Sequence, residues 1–218
     1  MEVCSVFLSK LRCNVELGEA DAAYFHSLIG VLRWIVELGR VDINVEASML
    51  SSHLEMPREG HMQELLQVFA YLKKHMNTEM VFDPSEPEID MNSFQRQDWS
   101  YSIYSSPGEE MKEALPPNMP KPLGHGFKIC FFVDADHAGE SLTRGSRTRF
   151  IVMLNNASIY WHSKKQTSVE TSTFGSELMA MKQAVDYIRS FRYKLTMFGI
   201  PVEEPAYMYG DNQSVLAG

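Results

Sequence analysis

The chain has 218 residues, 44% of them apolar and 22% charged, with 20 basic against 28 acidic side chains for a net charge of −8. Those proportions suit a globular chain with its own core and exclude wholesale disorder. Spread evenly, the negative charge would also exclude simple electrostatic adhesion to nucleic acid or anionic lipid.

The charge is not spread evenly. Residues 1–121 hold 10 basic and 19 acidic side chains, whereas residues 122–218 hold 10 and 9. Met1 to Leu11 carries a short apolar run with no basic stretch ahead of it, which does not read as a secretory signal. Phe25, Leu28, Leu32, Ile35 and Gly39 recur every three or four residues, the mark of an amphipathic helix. Ile43, Ala47, Leu50 and Leu54 predict a second helix. His61, Leu65, Val68 and Leu72 predict a third, opened by Pro57 in its first turn and closed near Lys73, Lys74 and His75. Residues 1–80 thus form a helical unit. Residues 81–124 read as a connector, interrupted by Pro84, Pro87, Pro107, Pro116, Pro117, Pro120 and Pro122, with Asp98-Trp99-Ser100-Tyr101 as a candidate docking segment.

Residues 125–218 change period. Phe127, Ile129, Phe131 and Val133 alternate with Lys128, Cys130, Phe132 and Asp134, which predicts a strand. A second strand covers Arg149 to Leu154, Asn155-Asn156 supplies a hairpin turn, and Ile159, Trp161 and Ser163 begin the return. A long helix is expected from Phe174 to Phe198, capped by Ser172 or Thr173 and stopped by Gly199 and Pro201. A strand at Ala206–Tyr209 and a turn at Gly210-Asp211-Asn212 lead towards a further helix. The fold class is therefore α/β. Cys4, Cys13 and Cys130 are odd in number and form no Cys-x-x-Cys pair, which argues against a disulfide scaffold or a cysteine zinc site and fits a reducing compartment. No stretch approaches the length of a membrane span.

Three carboxylates stand out. The inner stripe of the long helix reads Phe174, Glu177, Met181, Ala184, Ile188, Phe191, Leu195 and Phe198, with Glu177 its one charged member. A buried carboxylate needs a cation or a donor, although Glu177 could equally lie at the stripe's edge, favoured by the helix dipole. Asp134 and Asp211 each follow an apolar strand run, where open α/β sheets bind ligands. The plain alternatives are a turn residue for Asp134 and a helix N-cap for Asp211. Taken together, three carboxylates on strand, helix and strand can cluster around hard cations such as Mg²⁺ or Mn²⁺ and support phosphodiester hydrolysis. Arg144, Arg147 and Arg149 around the hairpin, with Lys164 and Lys165 after it, are candidate phosphate contacts or else charges that protect an edge strand.

At this level the residues carry a resemblance. Phe132 to Gly139, Trp161 to Gln166, Val169 to Glu177 and Tyr209 to Ser214 resemble, in order and spacing, the RNase H domain of copia-type retrotransposon polyproteins. Tyr24 to Gly30, Gly39 to Ile43 and Tyr71 to Lys74 resemble the end of the reverse transcriptase in the same family, its thumb and connection region. The resemblance covers nearly the whole chain from about Glu19. It implies a mixed RNase H-like sheet with flanking helices, incomplete at the C-terminus and preceded by an α-helical thumb/connection segment. It implies hydrolysis of the RNA strand of an RNA–DNA hybrid with two Mg²⁺ (or Mn²⁺) ions. Asp134 would bridge both ions, and Glu177 and Asp211 would each complete one shell. Arg144, Lys164, Lys165, Asn212 and Gln213 would face the nucleic acid. The implied partners are the hybrid and the rest of the polyprotein, its fingers and palm, with no membrane. The implied setting is intracellular, in a cytoplasmic particle or the nucleus.

The chain departs from the family pattern in four ways. The family's fourth carboxylate follows a further strand and helix, beyond Gly218. No Tyr-x-Asp-Asp is present, so no polymerase site is expected. His137 stands where Trp is frequent, and Ser146 to Phe150 replaces a neutral run with a basic one. An incomplete sheet would leave an open edge and marginal stability. The alternative to an RNase H enzyme is a non-catalytic nucleic-acid-binding module or a degenerate transposon remnant.

Overall fold

The computed structural model describes residues 15–94, 116–139, 144–202 and 204–212. Cys4, Cys13, the Asp98 to Tyr101 segment, Gln213 and the expected last helix lie outside them.

Three helices make the first unit: α1 (Glu19–Glu37), α2 (Asn44–Ser51) and α3 (Glu59–Lys74), with a 3-10 turn at Val41–Ile43 leading into α2. Pro57 lies ahead of α3 and outside its first turn, and its carbonyl accepts the Leu17 N–H at 3.1 Å. The α1 stripe is shifted from its sequence reading: Phe25, Ile29, Leu32 and Val36 are buried, whereas Leu28 and Ile35 lie at its margin. The α3 stripe of His61, Leu65, Val68 and Leu72 is as expected. Arg40 explains the Gly39 to Ile43 motif. Gly39 turns the chain at a φ of 114°, and Arg40 then grips Asp42 through two bonds of 2.9 and 2.8 Å. A third bond, 3.1 Å to the His75 carbonyl, covers an open acceptor at the end of α3.

Within this unit His61 is 6% exposed and its ring stacks on His53 at 4.0 Å. Its Nδ1 accepts the Arg58 backbone N–H at 3.2 Å, a role only the unprotonated nitrogen can fill. Burial, and then the neighbouring His53 and Arg58, push its pKa from 6.5 down to about 4. The folded state thus resists a proton that the unfolded chain takes up near its ordinary value. The His61 contribution is complete above about pH 6.5 and is lost as the pH falls towards 4. A loss of roughly 2 kcal/mol is expected after solvent screening. Urea unfolding at pH 7 and pH 4.5 measures it, and the extra acid sensitivity of wild type over His61→Gln should account for that amount.

The second unit is a four-stranded sheet in the order β3-β2-β1-β4. Its strands are β1 (Ile129–Asp136), β2 (Arg147–Leu154), β3 (Ala157–Lys165) and β4 (Ala206–Tyr209). β1–β2 and β2–β3 are antiparallel, and the β3–α4–β4 crossover, with α4 at Thr173–Met197, brings β4 in parallel to β1. Alternation along β1 sends Ile129, Phe131 and Val133 into the core under α4, with Phe150, Val152, Ala180, Met181 and Ala184. Phe132 turns to the other face and is 47% exposed. Ser172 caps α4 by accepting the Gly175 N–H at 3.1 Å. Phe174 and Phe198, read as ends of the buried stripe, are exposed, because they lie at the two extremes of a helix longer than the sheet beneath it.

The connector docks on the sheet. Asn155, at a φ of 51° in the β2–β3 turn, donates to the Pro84 carbonyl at 2.8 Å, and Phe94 packs edge-on against Tyr207 and Tyr209. The helical unit meets the sheet through Arg147. That side chain is buried, donating to Ser48 and Ser52 on the α2 side, while Ser48 donates to the Ser163 carbonyl at 2.6 Å. Trp161 on β3 packs against the helical core. The architecture is mixed α/β with flanking helices. Among the described residues no helix is long and apolar enough to cross a membrane.

Candidate functional site

β1 runs on to Asp136 after its last pairing with β4, which joins Phe132 to Tyr209. The two chains then part, and this divergence forms the crevice of an open α/β sheet. Asp134 lies in it from β1, within the strand and not at its end as the sequence suggested. Asp211 enters as β4 finishes. Glu177 reaches the same place from the first turns of α4, where the Ala135 backbone N–H favours its charged form. One carboxylate oxygen of each residue lies within 4.8 Å of the other two. The structure therefore brings together all three acids singled out in the sequence.

Their environments differ. Glu177 is buried, Asp134 is half-buried and Asp211 is exposed. Burial, and next the charges of Asp134 and Asp211, hold the Glu177 carboxyl above the usual carboxylate range. Such crowding is relieved by a proton or by a cation that all three can share. Three hard oxygen donors at this spacing could hold a small divalent ion.

Gly210, just before the third acid, packs close to α4. A Cβ on it would stand 2.7 Å from the Met181 methyl of α4. That methyl is the far end of a flexible side chain, which can move aside for a small substituent.

The basic residues are arranged differently from expectation. Arg144 is exposed at a φ of 56°, and Lys164 is exposed on β3. Among the described residues neither is ion-paired with the acids. Lys165 shares a row with Arg147 and Asp136, two strands from β1 and so about 10 Å away. Asn212 follows Asp211 directly, and Gln213 is outside the described residues. Among the described residues Arg149 is a cation beside Asp134, with Nη1 3.6 Å from it and Nη2 3.1 Å from Asp136. The sequence offers it as a candidate phosphate contact beside the hairpin, not as a partner of the acids.

Asp134 and Asp211 line a cleft of about 460 Å³ between the helical unit and the outer face of the sheet. Val41 and Val45 form one wall, with Phe132, Ile151, Trp161 and Tyr209 across from them. Phe132 and Tyr209 stack at 5.0 Å, beside Asp134 and Asp211 respectively in sequence.

No family model matches the chain, and no solved structure matches it. Over 192 residues, 88% of its length, the chain is 23% identical to the retrovirus-related Pol polyprotein from transposon RE1 of Arabidopsis thaliana. It is also 23% identical over 192 residues to that from transposon RE2 of the same plant. The chain spans 10% of the length of each. A 57-residue stretch, 26% of the chain, is 37% identical to secreted RxLR effector protein 161 of Plasmopara viticola, covering 40% of that protein.

Proposed function

We propose that the chain is part of a copia-type retrotransposon polyprotein, carrying the end of a reverse transcriptase and an RNase H-like domain that hydrolyses the RNA strand of RNA–DNA hybrids. The observation that carries this reading is the meeting of Asp134, Glu177 and Asp211 within 4.8 Å from three separate elements. The likeness to transposon Pol polyproteins over 88% of the chain supports it.

Asp134, Glu177 and Asp211 would hold Mg²⁺ or Mn²⁺, and the donor set fits: all ligands are hard oxygens, and Glu177 is crowded by its two neighbours. A bound ion supplies an activated water and charge stabilisation at the phosphoryl group. The protein's part is positional. β1 sets Asp134, the start of α4 sets Glu177, and the end of β4 sets Asp211. Beside them the open Phe132–Tyr209 pair offers an apolar surface to a base or sugar. The remaining polymerase subdomains and the hybrid are the proposed partners.

Incubation with a hybrid labelled on its RNA strand tests the reading. Cleavage of that strand with Mg²⁺ or Mn²⁺, abolished by a chelator, is the expected result. An intact hybrid, or equal cleavage by Glu177→Gln, sinks it in favour of a binding module without catalysis.

A further inference from the structure

The strand register sets Arg149 directly opposite Asp134, and its guanidinium spans Asp134 and Asp136 at 3.6 and 3.1 Å. A fixed positive charge thus already occupies one side of the site in which a divalent ion would bind. Two further atoms bear on it. Arg149 Nε and Glu46 Oε2 are both shut off from solvent, and neither has a hydrogen-bond partner. Glu46 stands on α2, in the unit that walls the cleft; burial holds its carboxyl above the usual range, and the charge of Arg149 opposes that. An orphaned cationic donor and an orphaned acceptor near one another, across the boundary of two packed units, describe an ion pair not yet made.

Building on the function proposed above, we propose that Arg149 is the resident counter-cation of the carboxylate site, yielding Asp134 to an incoming divalent ion and turning to Glu46 when it does. With no ion bound, the guanidinium offsets the repulsion among the acids and keeps Asp134 in place. With an ion bound, two positive centres would compete for the same carboxylate, and the guanidinium moves to the partner with unused acceptor capacity. Arg149 is a positioning residue that acts through Asp134 and lowers metal affinity. Glu46 acts through Arg149 and raises it. The two side chains therefore have opposite signs, which a purely structural role for either would not produce.

Mn²⁺ binding to the whole chain, followed by electron paramagnetic resonance without nucleic acid, tests this. Arg149→Met is expected to bind Mn²⁺ about five- to tenfold more tightly. Arg149→Lys, which keeps the charge, should stay near wild type. Glu46→Gln is expected to bind about two- to threefold more weakly, because the guanidinium loses its alternative partner. The double variant should match Arg149→Met. If Arg149→Met fails to fold, Glu46→Gln alone decides, since weaker binding supports the proposal and unchanged or tighter binding overturns it. Equal or weaker binding by a folded Arg149→Met, with binding still lost in Asp134→Asn, overturns the counter-cation and leaves the metal site standing. Unaltered Mn²⁺ binding in Asp134→Asn removes the site and the counter-cation together.

Discussion

Replacing Asp134 by Asn is expected to lower Mn²⁺-dependent hydrolysis of the hybrid's RNA strand by about 10²–10⁴-fold. The substitution keeps the size and shape of the side chain and removes one charge. Its hydrogen-bonding amide can still face Arg149, which retains Asp136 at 3.1 Å. The fold should therefore persist, and the melting temperature should stay within a few degrees of wild type. The large effect arises because Asp134 is one of three carboxylates whose oxygens lie within 4.8 Å of one another, and it lines the cleft beside Asp211. Single-turnover cleavage at saturating protein separates this loss from weaker hybrid binding. A rate within threefold of wild type would place the chemistry elsewhere.

Phe131→Ala is expected to destabilise the protein by about 3–5 kcal/mol. Phe131 is fully buried at the centre of the sheet's inner face, with the Phe150 and Tyr187 rings each 6.2 Å away. It carries the contact between β1 and α4, the two elements that bring Asp134 and Glu177 together. Removing the ring leaves a cavity beneath the helix that small neighbours such as Ala180 and Ala184 cannot fill. Urea unfolding followed by circular dichroism gives the magnitude. Mn²⁺ affinity in the folded variant should drop as well, because Glu177 is no longer held against β1. A cost below 1 kcal/mol would contradict the packing of α4 on this sheet.

Much of this arrangement is legible in the sequence. Alternation from Ile129 to Asp134 and from Arg149 to Leu154 identifies the central strands, since each buries one face against α4. The stripe of His61, Leu65, Val68 and Leu72 along α3 is legible, although Glu64 is buried beside it and Leu66 and Tyr71 lie exposed. The α1 stripe was misplaced by one residue at two positions, because Leu28 beside Ile29 and Ile35 beside Val36 make two apolar phases available, and only packing chooses between them. Phe174 and Phe198 follow the same helical period as the core but lie beyond it, and periodicity carries no information on how long the opposing sheet is.

The acids themselves could be picked out as charges at apolar positions. Their meeting depends on where β1 and β4 separate, a tertiary feature that no local pattern encodes. The pairing of Asp134 with Arg149 was hidden for a related reason. Register between β1 and β2 is set across residues 137–146, a connection too long for a turn type to fix it. Arg147 was hidden because it serves the boundary with α2, and its partners Ser48 and Ser52 lie almost a hundred positions earlier in the chain.

The measurement that bears most directly on the three acids as one centre is Mn²⁺ binding by electron paramagnetic resonance across Asp134→Asn, Glu177→Gln and Asp211→Asn, each checked for a wild-type melting profile. Each single substitution should weaken binding by tenfold or more, on the order of 1.4 kcal/mol or greater, although the residues come from β1, α4 and the end of β4. Wild-type affinity in any one of the three folded variants would contradict a shared site.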